Sequence, residues 1–257
     1  MNIQIIKETS DYLIINKPAN LIVHGGSGIT EKTLVDYLIE KYPKLQKVGE
    51  DPLRPGIVHR LDKEASGLMI IAKNNIAFNY FKNQFKDRKI TKEYIALVSG
   101  KLDKDEGLID FPINRSSQGY KMAAIPSTIK NLDKLEKLDD DQISNRTKGH
   151  IKALNKSRSA ITKFWVIKKL INFTLIKINI KTGRTHQIRV HFSAFGHPLL
   201  GDNLYGNKKS KIQNKKLNIN RIFLMANHLN FVDLNGETQD IIIDLDLDLK
   251  EILNKVK

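Results

Sequence analysis

The stretch Lys92–Gly100 is apolar on both faces, with Tyr94, Ala96 and Val98 alternating on one side and Ile95 and Leu97 on the other. A strand without a polar face has to lie deep in a sheet, covered above and below. Any fold for this chain must therefore build a broad sheet around that segment. Further strands are read over Ile3–Ile15, as two pieces around a polar turn, and over Leu21–Val23, Ala160–Lys168 and Ile171–Lys181. Arg221–Ala226, Leu229–Val232 and Thr238–Leu247 complete the set, with Asn235-Gly236 as a hairpin turn. Between them, helical spacing appears from Thr30 to Tyr42, from Asn75 to Arg88 and from Thr185 to Phe195. Strands interrupted by isolated helices, with hairpins near the end, predict an α+β fold: a mixed, mostly antiparallel sheet with flanking helices.

The segment 127–157 has no apolar period and is rich in Lys, Asp and Asn. It reads as an exposed insertion in an otherwise single domain, residues 1–257. No Pro/Gly/Ser linker marks a boundary, and no separate N-terminal accessory domain is expected.

Composition narrows the function. Forty-three Lys and Arg stand against 28 Asp and Glu, a formal net charge of +15. Such an excess predicts a polyanionic partner, and nucleic acid is the natural one. Cysteine is absent, which excludes disulfides, thiolate metal sites and a cysteine nucleophile. Neither a signal peptide nor an apolar run of spanning length is present, so a cytoplasmic protein without membrane contact is expected.

Four segments carry more chemistry than packing requires. His59-Arg60-Leu61-Asp62-Lys63-Glu64-Ala65-Ser66-Gly67-Leu68 sets a carboxylate among cations in a loop that runs into Met69-Ile70-Ile71-Ala72. Taken alone, such an Asp is more often a turn or ion-pair residue. In Gly183-Arg184-Thr185-His186-Gln187-Ile188-Arg189-Val190-His191, cations crowd a helix start, which its dipole disfavours unless a carboxylate or phosphate compensates. Gly196–Gly206 is a glycine-punctuated loop, read as a structural turn. Lys92-Glu93-Tyr94 puts a tyrosine on an inner strand.

Together with Lys17-Pro18-Ala19-Asn20-Leu21 and Val23-His24, these segments resemble the RluA-type family of RNA pseudouridine synthases over most of the chain. The resemblance implies an enzyme that isomerises uridine to pseudouridine in ribosomal or transfer RNA, without cofactor or metal, acting as a monomer. It implies Asp62 as the catalytic carboxylate, Tyr94 stacked on the everted base, and Arg184 paired with Asp62. It also implies His59, Arg60, His186, Arg189 and Leu224 on the substrate side, with Arg60 probing the space the base vacates. Ala65 stands where the family commonly has threonine, and Met225 where histidine is usual. Two other readings compete: a non-catalytic RNA-binding or ribosome-assembly protein on the same fold, and a metal-dependent hydrolase built on His59, His186, His191 and His197. Asp62, Tyr94 and Arg184 argue against the first. The five-residue spacing of His186 and His191 argues against a helical zinc pair in the second.

Overall fold

The computed structural model describes residues 3–26, 28–116, 119, 121–125 and 156–256. The predicted insertion at 127–157 lies outside the described residues except for its last two positions. Eight strands form a path in the order β1-β2-β3-β10-β4-β9-β8-β5, and β11 joins the same sheet by pairing with β10. The strands are β1 (Gln4–Glu8), β2 (Tyr12–Lys17), β3 (Ser66–Ala72), β4 (Thr91–Ser99), β5 (Glu106–Asp110), β8 (Ile161–Lys169), β9 (Phe173–Ile180), β10 (Leu224–Val232) and β11 (Thr238–Ile242). A two-stranded hairpin, β6 (Ile113–Arg115) with β7 (Met122–Ala124), stands apart. Every pairing in the large sheet is antiparallel except β3 with β10. This is the expected α+β architecture, and β4 lies inside it between β10 and β9.

Alternation divides the sheet's centre between two cores. Ala96, Val98, Ile176, Ile178, Leu224 and Ala226 pack on one side. Residues of helices α1 (Leu34–Lys41), α2 (Asn75–Lys86) and α3 (Gln187–Ala194) join that core: Leu34, Leu38, Phe81, Ile188 and Phe192. Leu97, Leu175 and Met225 face the other way, onto Leu249 and Ile252 of the C-terminal helix. That helix is α5 (Leu247–Lys255), preceded by the Lys-rich α4 (Lys208–Lys216).

Several boundaries differ from the sequence reading, each for a local reason. Leu21–Val23 is not a strand, because the carbonyls of Ile22 and Val23 accept the Leu34 and Val35 N–H groups at the start of α1. Thr33 caps that helix rather than Thr30, and Asp36 reaches back to complete a capping box. Arg221–Ala226 and Leu229–Val232 prove to be one strand whose register slips between Ala226 and His228. The return strand stops at Ile242, and Leu247, Leu249 and Ile252 belong to α5. No helix among the described residues is long and apolar enough to cross a membrane.

Gly67 fixes how the sheet closes. It has φ +120°, and a Cβ there would lie 2.2 Å from the Ala226 carbonyl oxygen. Only glycine allows β3 to approach β10 so closely, and the Asp62 loop ends one residue before this contact.

Candidate active site

Asp62 lies on the loop between Ile57, which bridges to Ile71, and the start of β3. Its backbone carbonyl accepts the Ala65 N–H at 3.2 Å, turning the loop back toward the sheet. Beneath the loop, the fully buried Lys17 gives its ammonium hydrogens to the carbonyls of Pro18, Leu21 and Lys63. Burial pushes the Lys17 pKa down to about 7, against the opposing pull of Asp62. The bond to the Lys63 carbonyl ties the end of β2 to the backbone next to Asp62.

The pocket over Asp62 is walled by Tyr94 and Leu224, with Arg60, Leu61, Ala65, Lys92, Ile180 and the segment 183–185 around it. Register explains the wall. Tyr94 on β4 faces Ala226 on β10 and Ile178 on β9, and Leu224 stands on the same face opposite Ala96. Tyr94 is 5% exposed, and no hydrogen bond among the described residues engages its hydroxyl. Burial, with the Asp62 charge added, pushes its phenol well above the ordinary value, so it remains protonated at neutral pH.

The guanidinium that meets Asp62 is that of Arg189, not Arg184. Arg189 Nη1 lies 3.7 Å from Asp62 Oδ2 and 3.0 Å from Glu64 Oε2. Its Nε and Nη2 form a two-pronged pair with Asp202 at 2.8 and 3.0 Å. Burial works against its charge. The hydrogen bond and charge of Asp202, helped by Glu64 and Asp62, outweigh that and raise its pKa above the ordinary value. Arg184 instead gives its Nε–H to the Ser159 carbonyl at 3.2 Å and forms no ion pair with Asp62, though it lines the same pocket.

The exchange of roles follows from where the helix begins. Gln187 Oε1 accepts the Arg184 N–H and the Thr182 hydroxyl. That fold-back keeps 184–186 out of the helix, and His186 precedes it with φ +53°. α3 therefore starts at Gln187, and Arg189 faces inward from its first turn. The opposing carboxylate that the helix dipole calls for is present, but for Arg189.

The remaining expected substrate residues are dispersed. Arg60 is exposed at the rim, its Nη1 donating to His24 Nε2 at 3.3 Å. His59 is outside the pocket lining. Its Nε2 accepts the Ile70 N–H at 2.9 Å and its ring stacks on Phe85, so it holds the loop on β3. Burial, reinforced by Lys92, lowers the His59 pKa and keeps the ring neutral. His186 is joined to Tyr205, whose hydroxyl accepts the Met122 N–H and shares a hydrogen bond of 2.8 Å with His186 Nδ1. Glu64 and Asp202 carry Arg189 and were given no role from the sequence; Asp202 sits in the glycine loop read as a structural turn. The signal for them was the same unbalanced run of cations at 184–189, which needs acidic partners from elsewhere.

No group of three or more His, Asp or Glu able to hold a metal occurs among the described residues. The histidines of the hydrolase reading are scattered and engaged. Besides His59 and His186, His191 contacts Thr162 and the Phe111 carbonyl, and His197 contacts the Ser99 carbonyl.

A sequence model of the RNA pseudouridylate synthase family matches residues 11–194. An uncharacterized RNA pseudouridine synthase of Aquifex aeolicus is 40% identical over 233 residues, covering 89% of this chain and 65% of that protein. Ribosomal large subunit pseudouridine synthase D of Blochmanniella floridana is 35% identical over 215 residues, covering 84% of this chain and 57% of its own length. The chain thus spans less than two thirds of these relatives. The structure of human RNA pseudouridylate synthase domain containing 4 superposes with a TM-score of 0.74 at 23% identity, covering 98% of this chain and 92% of that one, which shows the shared fold. By the family match and by relatives of this identity, the chain belongs to the RNA pseudouridylate synthase family.

Proposed function

We propose that this protein isomerises uridine to pseudouridine within large-subunit ribosomal RNA. The observation that carries the reading is Asp62 facing a pocket walled by Tyr94 and Leu224, with the buried Arg189 guanidinium beside it. The relatives named ribosomal large subunit pseudouridine synthase D favour that RNA over transfer RNA. The protein works in the cytoplasm as a monomer, and its catalytic unit is one domain.

In this reaction the C1′–N1 bond of uridine breaks and a C1′–C5 bond forms. A proton leaves C5 and one is taken up at N1, so nothing is oxidised or reduced and neither cofactor nor metal is called for. The target base leaves its stack and enters the pocket. Arg60, at the rim, takes up the space it vacates. Tyr94 lies along the base with its phenol protonated, and Leu224 closes the apolar side. Asp62 acts on the nucleoside as the catalytic carboxylate. Arg189, itself fixed by Asp202 and Glu64, is a positioning residue that sets the direction of the Asp62 carboxylate.

Release of tritium from C5-labelled uridine in ribosomal RNA tests the proposal. Wild-type protein should release label. Asp62→Asn should lose activity by several orders of magnitude while retaining its fold and RNA affinity. Turnover of that variant near the wild-type rate would overturn the mechanism. Release from transfer RNA but not ribosomal RNA would overturn the substrate.

A further inference from the structure

Two clefts flank the Asp62 pocket, and their charge is one-sided. The first runs between the end of α2 and β9, lined by Lys86, Arg88, Lys92, Lys181 and Arg184 among neutral residues. The second, beside the β6–β7 hairpin, is lined by Arg115, Lys156, Arg158 and Arg184. Neither lining contains a carboxylate. In a chain whose basic residues outnumber its acidic ones by only 43 to 28, two adjoining clefts without one acidic residue are not a random sample of the surface.

Pairing sharpens the contrast. Several exposed cations elsewhere have partners: Lys82 on α2 meets Glu50, Lys63 meets Glu31 and Lys32 meets Glu40. Among the described residues no ion pair engages any cation of the two clefts. Gly183 and Arg184 line both clefts and the Asp62 pocket as well, so the three hollows meet at that turn. Lys92 is shared by the pocket and the first cleft, with its ammonium over the Phe85 ring. Burial lowers its pKa to about 8, an environment in which a neighbouring anion would be well matched to its charge.

We propose that the substrate strand crosses the molecule through these two clefts, its phosphates seated in the α2–β9 cleft on one side and the hairpin cleft on the other, turning over Arg184 where the target base enters the Asp62 pocket. The inference rests on the RNA-modifying reading and assigns its backbone path. It also gives Arg184 a task that suits its position: freed from Asp62, it stands at the junction where the strand must bend.

Salt dependence of affinity reads phosphate contacts directly, because each contact with a single strand contributes a slope of about 0.7 in log K against log salt. The probe is one single-stranded, uridine-containing RNA oligonucleotide, used with the full chain. Lys86→Gln/Arg88→Gln and Arg115→Gln/Arg158→Gln should each flatten the slope by about 1.4, two contacts' worth. Each should raise KM for uridine conversion with kcat retained. Lys215→Gln/Lys216→Gln on α4 removes the same charge elsewhere and should leave slope and KM unchanged. All these side chains are exposed or on a helix end, and melting temperatures confirm equal folding. An unchanged slope in either cleft variant, or an equal change in the α4 variant, overturns the path and leaves the proposed reaction standing. A wild-type protein that shows the cleft-dependent slope but converts no uridine overturns the reaction and leaves the path.

Discussion

Two buried arginines hold the Asp62 loop, one near its middle and one at its end, and they do it differently. Arg189 is 2% exposed and reaches the loop near its middle, at Asp62 and Glu64, from α3. Arg221 is 8% exposed and reaches the loop's end at Ser66, donating Nη2 to its hydroxyl at 2.7 Å. It also pairs with Asp246 and Asp248 at the start of α5. Ser66 donates in turn to Asp246, closing that cluster on itself. Around Arg221 the contacts are short hydrogen bonds; around Arg189 they are short to Asp202 and Glu64 but 3.7 Å to Asp62. One cluster satisfies its members and anchors a helix. The other fixes the arginine firmly and leaves the Asp62 carboxylate 3.7 Å from it, with space on its pocket side.

Substitution should separate the two. Arg189→Met strands the buried Asp202 carboxylate, and losing one member of such a buried pair costs about 3–5 kcal/mol. Denaturant unfolding should show that loss, and tritium release should fall with Asp62→Asn. Arg189→Lys keeps the charge without the two-pronged geometry, so stability should recover more than activity does. Arg221→Met should cost less, about 2 kcal/mol, since Asp248 is half exposed and can turn to water. Its unfolding midpoint should drop while kcat stays near wild type. A kcat loss as deep as that of Arg189→Met would erase the distinction between the clusters.

The smallest effect concerns a third charged group, His228 on β10, between Glu93 at 3.0 Å and Asp240 at 2.6 Å. Burial alone would lower its pKa, but hydrogen bonds that the ring gives to Asp240 and Glu93 outweigh that and raise it above 6.5. A raised folded-state pKa contributes stability fully below the unfolded value, and that contribution is lost as pH climbs through the folded one. Melting curves of wild type and His228→Gln should differ most below pH 6.5 and converge as pH rises. A gap that widens with pH would show that the histidine is neutral in this cluster.

Most of the sheet was legible because its strands advertise themselves: Ile176, Ile178 and Ile180 alternate with polar residues, and β4 has no polar face; the short edge strand β5, with Glu106 and Asp110 at its ends, was not read. The pocket wall was legible for the same reason, since Tyr94 and Leu224 occupy strand positions that pairing brings together. The guanidinium partner of Asp62 was not. Choosing between Arg184 and Arg189 depends on the helix starting two residues later than its spacing indicates, and that start depends on Gln187 folding back onto Thr182 and Arg184, a contact without periodic signature. α4 was missed because its buried positions are Ser210 and Asn214 rather than apolar residues. Asn214 serves there as a bonding group, accepting the Gly201 N–H and donating to Asn203. The return strand was carried on to Leu247, the first residue of α5, because Ile243, Leu245 and Leu247 continue an alternation that the chain does not use, and the rest of α5 was not read.

The approach of Gly67 to Ala226 has a consequence for the order in which the molecule forms. Strands β1, β2 and β3 find one another within the first 72 residues, with α1 and α2 nearby. The remainder of the sheet joins them through the single parallel pairing of Ser66 with Met225 and Gly67 with Ala226. Closing so long a stretch of chain is slow compared with forming local hairpins. The Asp62 loop is on the early side of that seam, whereas Arg189, Asp202 and Leu224 are on the late side. A half-folded chain therefore has the Asp62 carboxylate but neither Arg189 nor the Leu224 wall, and the proposed site is complete only when Ser66 and Gly67 meet Met225 and Ala226.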